Sequence, residues 1–371
     1  MSDTLFFVTN RSTFGRGFGP PPSQANYDAI SYGEVPVQPS SAPGVSGRML
    51  GPPLVAGSDT GTSSDPDPGL VNFLAHALQA ARAAGRTPMV VVHGYCYSFQ
   101  DAVIRKADVV AWLASAATPV RLTPVLFTWP SINGLSVDNY LSDRQRAEES
   151  NYALARFIIA FEAAWEASGR PRCVYLAHSM GAWVSQNGMA FLAQSGHHVP
   201  AGMFDQAVVI AGDADTSAAE PGQGLDELAR ISRWLSLGVN RADPVVNLDG
   251  QNVLHRPRLG SSGPANVSLI PANARVVDYT LAVAADQNPI PPGETTWNYT
   301  GHQYYRTIPR VRDDLALALG GRDPDLVPNR FTSAQMVAAG NPFIEPGRLY
   351  VAPYVGAPKP PQDIDNPDRR G

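Results

Sequence analysis

The sequence is poor in lysine, cysteine and long apolar runs. Lys106 and Lys359 are the only lysines among its 28 basic residues, and no basic cluster marks a surface for nucleic acid or anionic membrane. The arginine excess points to GC-rich codon usage rather than to binding. Cys96 and Cys173 are the only cysteines, which excludes a disulfide scaffold. No stretch approaches the roughly 18 consecutive apolar residues of a membrane-spanning helix. The start, Met1-Ser-Asp-Thr-Leu-Phe-Phe-Val8, has neither the basic stretch nor the cleavage site of a secretory leader, so a cytoplasmic location is expected. Without a leader, the Asn-X-Ser/Thr matches at Asn10, Asn266 and Asn298 carry no weight.

What is present is a chain of 371 residues, 44% hydrophobic with a net charge of −5, enough for a large core. Residues 1–69 read as an N-terminal extension packed on the core, with a strand at Leu5–Thr9 and another near Met49–Val55. From residue 70 apolar strands alternate with helical segments. Pro88–His93, Leu122–Trp129, Cys173–Ala177, Gln206–Ala211, Trp234–Asn240 and Arg275–Leu281 read as strands. Helices are expected at Leu70–Ala84, Asp101–Ala116, Asp143–Ser168, Ala182–Gln194, Leu225–Ser232 and Pro309–Leu319. This alternation predicts an α/β fold, a mostly parallel sheet wrapped on both faces, over residues 70–320. Residues 321–371, rich in proline, read as a C-terminal extension whose last 15 or so residues form a flexible tail.

One stretch carries chemistry. The strand Cys173–Ala177 runs through His178-Ser179-Met180-Gly181 straight into a helix, which is the context of a nucleophile elbow. The tight turn needs small residues two positions either side of the serine, and Ala177 and Gly181 meet that need. A serine hydroxyl requires a base. Of the seven histidines, His302 lies in a loop after the last strand and before the last helix, where Gly301 frees the backbone to aim it. His93 reads as shaping a loop. His178 is expected to point to the other side of the turn. His76, His197, His198 and His255 lie in helical or surface contexts. The acid should fall between residues 179 and 302. Asp243, after a strand in Asn240-Arg-Ala-Asp-Pro244, is favoured, with Asp213 or Asp215 as alternatives. The amides of Met180 and Tyr95 are the candidate oxyanion donors. Trp129 and Tyr95, with the loop 130–140 and segment 250–300, are candidates for substrate binding. Cys96 lies close by but is not favoured as a nucleophile.

These pieces also resemble a known family. Phe6-Phe-Val-Thr-Asn-Arg11, Val90-Val-Val-His-Gly-Tyr95, Phe127-Thr-Trp-Pro-Ser131, the set Tyr140, Asp143-Arg144, Ala147 and Ser150, and Leu176-Ala-His-Ser-Met-Gly181 follow in order. In that order they resemble the bacterial branch of the α/β-hydrolase superfamily known as domain of unknown function 900. The resemblance implies a Ser–Asp–His hydrolase fold and no settled substrate. Residues 247–300 depart from it, as does Ala211-Gly-Asp213 in place of an Ala-Pro-Asp run. The resulting expectation is a serine hydrolase of short-chain or soluble carboxylic esters, without metal or organic cofactor. Its rivals are an amidase, thioesterase or peptidase with the same triad, and a silent binding protein on the same fold. Segments 247–272 and 284–300 are expected as loops beside the active-site mouth.

Overall fold

The computed structural model describes residues 3–15, 17–19, 27–61, 65–132, 134–248, 253–286, 290, 301–341 and 344–352. The chain opens with β1 (Asp3–Thr9), the small pair β2 (Thr13–Phe14) and β3 (Gly17–Phe18), then β4 (Ile30–Gln38), β5 (Arg48–Met49) and β6 (Leu54–Asp59). There follow α1 (Pro68–Ala83), β7 (Thr87–Val92), α2 (Phe99–Ala114), β8 (Leu122–Thr128), α3 (Val137–Glu149) and α4 (Asn151–Ala167). Next come β9 (Cys173–His178), α5 (Gly181–Gln194), β10 (Phe204–Ile210), α6 (Gly224–Arg230) and β11 (Leu235–Val239). The short helices α7 (Pro244–Leu248) and α8 (Leu259–Ser262) lead to β12 (Ala274–Asp278) and α9 (Thr280–Ala284). The chain then continues through α10 (Pro309–Leu319), β13 (Arg330–Thr332), α11 (Ser333–Ala338) and β14 (Arg348–Val351).

One sheet has the order β13-β14-β12-β11-β10-β9-β7-β8-β1-β4-β5, with β6 also paired to β4. From β14 to β1 the neighbours are parallel, and antiparallel strands close both ends. The strand β7 shows why its sequence is continuously apolar. Its pleat puts Val90 and Val92 in the apolar cluster that holds Leu74 of α1 and Phe157 of α4, and Met89 and Val91 in the cluster that holds Val103 of α2 and Leu315 of α10. Both faces are covered, so neither tolerates a polar side chain.

The sheet does not respect the boundaries expected at residues 70 and 320. Strand β1 sits between β8 and β4, and β14 pairs with β12, so both extensions are built into the sheet. Strand β4 was hidden in the sequence by Gly33 and Pro36. Gly33 is required there, because a Cβ would collide with the Leu54 carbonyl and the Phe7 ring. The single helix expected over Asp143–Ser168 divides at Ser150. The Ser150 hydroxyl donates to the Arg146 carbonyl (2.8 Å) and accepts from Asn10 Nδ2 (2.9 Å), a local bond that bends a helix. The expected strand Arg275–Leu281 stops at Asp278 and turns into α9. The C-terminal tail expectation falls outside the described residues, as does most of 284–300. Among the described residues, no helix is long and apolar enough to cross a membrane.

Candidate active site

The strand β9 ends at His178 and α5 begins at Gly181, so two residues make the whole turn. Ser179 takes φ +57°, a left-handed conformation that is unfavourable for any residue with a Cβ. The surroundings hold it there. Its N–H donates to the Ile210 carbonyl (3.2 Å), and its carbonyl accepts from Ala182 (2.9 Å) and Asp213 (3.0 Å). The need for small neighbours is steric: a Cβ on Gly181 would lie 2.5 Å from the Val92 carbonyl oxygen and 2.6 Å from that of His93. A Cβ on Gly94 would lie 2.7 Å from Ser179 Cβ. The loop after β7 and the serine turn are therefore in direct contact.

The structure brings Ser179, His302 and Asp243 together from three separate loops. His302 Nε2 lies 2.9 Å from Ser179 Oγ, and Nδ1 lies 2.9 Å from Asp243 Oδ2. Asp243 is fully buried, and its other oxygen accepts the N–H groups of Val245 (3.0 Å) and Val246 (3.1 Å) at the start of α7. One carboxylate oxygen is thus fixed by backbone and the other is aimed at the imidazole. The bonding pattern assigns the Nδ1–H to Asp243 and leaves Nε2 to accept from the serine hydroxyl.

Two residues that sequence reasoning missed hold the loops in register. Asn240, at the end of β11, donates from Nδ2 to the Gly301 carbonyl (3.0 Å) and accepts Ala242 N–H (3.1 Å), tying the histidine loop to the aspartate loop. The Tyr304 hydroxyl accepts Ala211 N–H (3.2 Å). The signal for Asn240 was its place at a strand end, three residues before the acid.

Asp213 and Asp215 do other work. Asp213 accepts from Arg258 Nε (2.7 Å) and the Tyr140 hydroxyl (2.7 Å), with Arg144 at 3.3 Å. Asp215 accepts from Arg258 Nη1 (2.6 Å). Arg144 and Arg258 flank the Trp183 ring at 3.7 and 5.6 Å, so this cluster braces the first turn of α5. The loop from 258 to 263 packs on the sheet end: Gly260 N–H reaches the Gly212 carbonyl, and the Gly260 carbonyl accepts Asn240 N–H. This part of the segment expected over the mouth is structural.

Trp129 requires a correction. It is fully buried, stacked on His93 (5.3 Å between rings), and its Nε1–H donates to the His93 carbonyl (2.9 Å). It packs behind the loop after β7, with no exposed surface to offer a ligand. His93 itself bonds Gly94 O (2.8 Å) and Thr128 Oγ1 (3.0 Å), the loop-shaping role expected of it. The Tyr95 hydroxyl lies 2.9 Å from the Gly134 carbonyl and 3.0 Å from that of Ser136, and accepts Ser136 N–H (3.1 Å), so its ring props the loop before α3. Met180 is buried at the head of α5, where the first amides have no intrahelical partner. Burial raises the Cys96 thiol above its ordinary range, which leaves it a poor nucleophile. Among the described residues, no three His, Cys, Asp or Glu side chains converge as a metal site.

The core also holds a buried cation. Lys106 of α2 has no solvent exposure, and burial pushes its ammonium down to about 8. The unfolded chain holds it near 10.5. The charge therefore opposes folding fully below pH 8, by about 3 kcal/mol, and less as pH rises toward 10.5. Lys106→Met should accordingly melt a few degrees above the parent at pH 7, with the gap closing toward pH 10. Melting curves across that range check it. A gap that widens with pH would contradict the assignment.

Residues 74–286 match the model of a family described as an alpha/beta hydrolase of unknown function, DUF900. No curated protein and no solved structure matches the chain. The matched span holds β7, the serine turn and the Asp243 loop, and the parallel sheet with helices on both faces is the architecture that the family description names. The chain is therefore a member of the DUF900 family of α/β hydrolases.

Proposed function

We propose that the protein is a serine hydrolase that cleaves carboxylic esters through an acyl-enzyme on Ser179. The observation that carries this reading is the relay Asp243–His302–Ser179, with both contacts at 2.9 Å. His302 Nε2 takes the hydroxyl proton as Oγ attacks the ester carbonyl, and Asp243 holds the imidazole in the right tautomer and stabilises its charge. The amides of Met180 and Tyr95 receive the oxyanion; one such donor contributes about 10²–10³ in turnover. The imidazolium then protonates the leaving alcohol. Water, deprotonated by the same nitrogen, hydrolyses the acyl-enzyme and frees the acid. No step needs a cofactor. Fluorophosphonate labelling of the parent protein tests the nucleophile, and p-nitrophenyl esters, thioesters and anilides separate esterase from thioesterase and amidase. Absence of both labelling and turnover would leave a silent binding protein as the better reading.

The substrate is proposed to be a short-chain or soluble ester. A pocket of about 390 Å³ adjoins the Asp243 loop, lined by Val246, Asn247, His255, Arg256 and Pro257 beside the 258–262 turn; Ser179 and His302 are not among its lining residues. One observation favours a second reading, a lipase. Leu135 is 83% exposed, with Val137 and Leu141 also exposed, on the loop and helix that Tyr95 props. Kinetics on esters from acetate to palmitate should peak at short chains. A maximum at laurate or palmitate, with activation at a lipid interface, would favour the lipase.

A further inference from the structure

The reaction as proposed makes no use of Lys106, yet the fold carries its charge in the core. Its Nζ donates to the Tyr305 hydroxyl (3.0 Å) and lies 5.5 and 5.4 Å from the Tyr97 and Tyr305 ring centres. Among the described residues no carboxylate pairs with it. The Tyr305 ring stacks on His178 (4.3 Å), and the His178 ring lies 4.8 Å from that of His302. His178 Nε2 faces the His302 carbonyl at 3.4 Å, which assigns that nitrogen the proton, while Nδ1 is buried with no partner among the described residues. Among those residues a second proton on His178 would have no acceptor.

We propose that Lys106 is a positioning residue for the triad: anchored on Tyr305, its ammonium holds the Tyr305–His178 stack beneath His302 and sets a positive charge behind that stack, with Asp243 on the other side of the imidazole. The inference rests on the serine-hydrolase reading. The charges around this stack support it. Arg105 on α2 and Arg306 beside Tyr305 have the same sign as Lys106 and act on it; His178, whose basicity is lowered by burial first, also feels the fields of His302, Lys106 and Arg306. His93 is neutral, its basicity lowered by burial first and also by the fields of Arg11 and Lys106. Tyr97 contributes a ring, 5.5 Å from the ammonium. The opposing charge stands across His302, at Asp243. The imidazole therefore has the Lys106–Tyr305–His178 stack on one side and Asp243 on the other, with Nδ1 facing Asp243 and Nε2 facing Ser179.

The test is kcat/KM for p-nitrophenyl acetate against pH, with fluorophosphonate labelling, on the parent, Lys106→Met and Tyr305→Phe. Removing the charge should move the acid limb to higher pH by roughly half to one unit, the range of a single charge beyond contact at an effective dielectric of about 20. KM and the labelled fraction at saturation should stay as in the parent. Tyr305→Phe keeps the stacked ring but takes away the acceptor of the ammonium, so the limb should move the same way by less. If Lys106→Met does not fold, Tyr305→Phe decides. An unmoved acid limb in an active, folded variant overturns the proposal and leaves Lys106 a packing residue. A parent that neither labels nor turns over ester is a different result: it removes the serine-hydrolase reading, and this inference with it.

Discussion

Ser179→Ala is expected to abolish fluorophosphonate labelling and to lower ester hydrolysis by about 10⁴–10⁶-fold, while the melting temperature stays close to that of the parent. On the proposed mechanism the loss is large because the Oγ is the attacking atom, which alanine lacks. Cys96, the nearest thiol in sequence to the loop after β7, is held protonated by burial. The fold should persist because the strain at φ +57° belongs to any residue with a Cβ, and alanine bears it as serine does. The loop contacts to Ile210, Ala182 and Asp213 are all backbone and survive the change. Mass spectrometry of the labelled protein checks the site. Labelling that persists at the parent rate would place the nucleophile elsewhere.

His302→Ala should be nearly as damaging, since members of a triad act as a unit, and Asp243→Asn should cost about 10⁴-fold. An asparagine can keep its oxygen on the Val245 and Val246 amides, but its NH₂ then faces Nδ1 and favours the wrong tautomer. Asp213→Asn should behave in another way. It leaves Arg258 and Arg144, both buried, short of their counter-charge, and breaking such a pair costs about 3–5 kcal/mol of stability. Denaturation midpoints and kcat, measured on all three variants, separate the two effects. A well-folded but inactive Asp213→Asn beside a near-normal Asp243→Asn would transfer the acid role.

The parts of this molecule legible in the sequence are those where one local rule suffices. The run of β7 is apolar because both faces are covered, and the serine turn shows itself by small residues flanking a strand end. Asp243 and His302 were chosen by chain order, not by any local pattern, and the structure places both side chains within hydrogen-bond reach of the Ser179 cluster. The illegible parts are those where a partner far along the chain decides. Ile30–Gln38 forms a strand because β1 lies beside it, despite Gly33 and Pro36. Trp129 looked like a pocket aromatic because nothing in the sequence says that His93 stacks on it. Asp213 was ambiguous until Arg258, 45 residues further on, appeared at its carboxylate.

The placement of β1 deep in the sheet has a practical meaning for anyone dividing this chain. The family match begins at residue 74, inside α1, and a fragment starting there would look like a complete catalytic module on paper. It would leave β8 with an open flank of unpaired amides and carbonyls along Val125–Thr128, where β1 had sealed it. An exposed apolar edge of that kind recruits strands from other molecules. Trimming at residue 320 would strip β14 from β12 in the same way. A fragment meant to keep these edges paired should therefore run from β1 to β14.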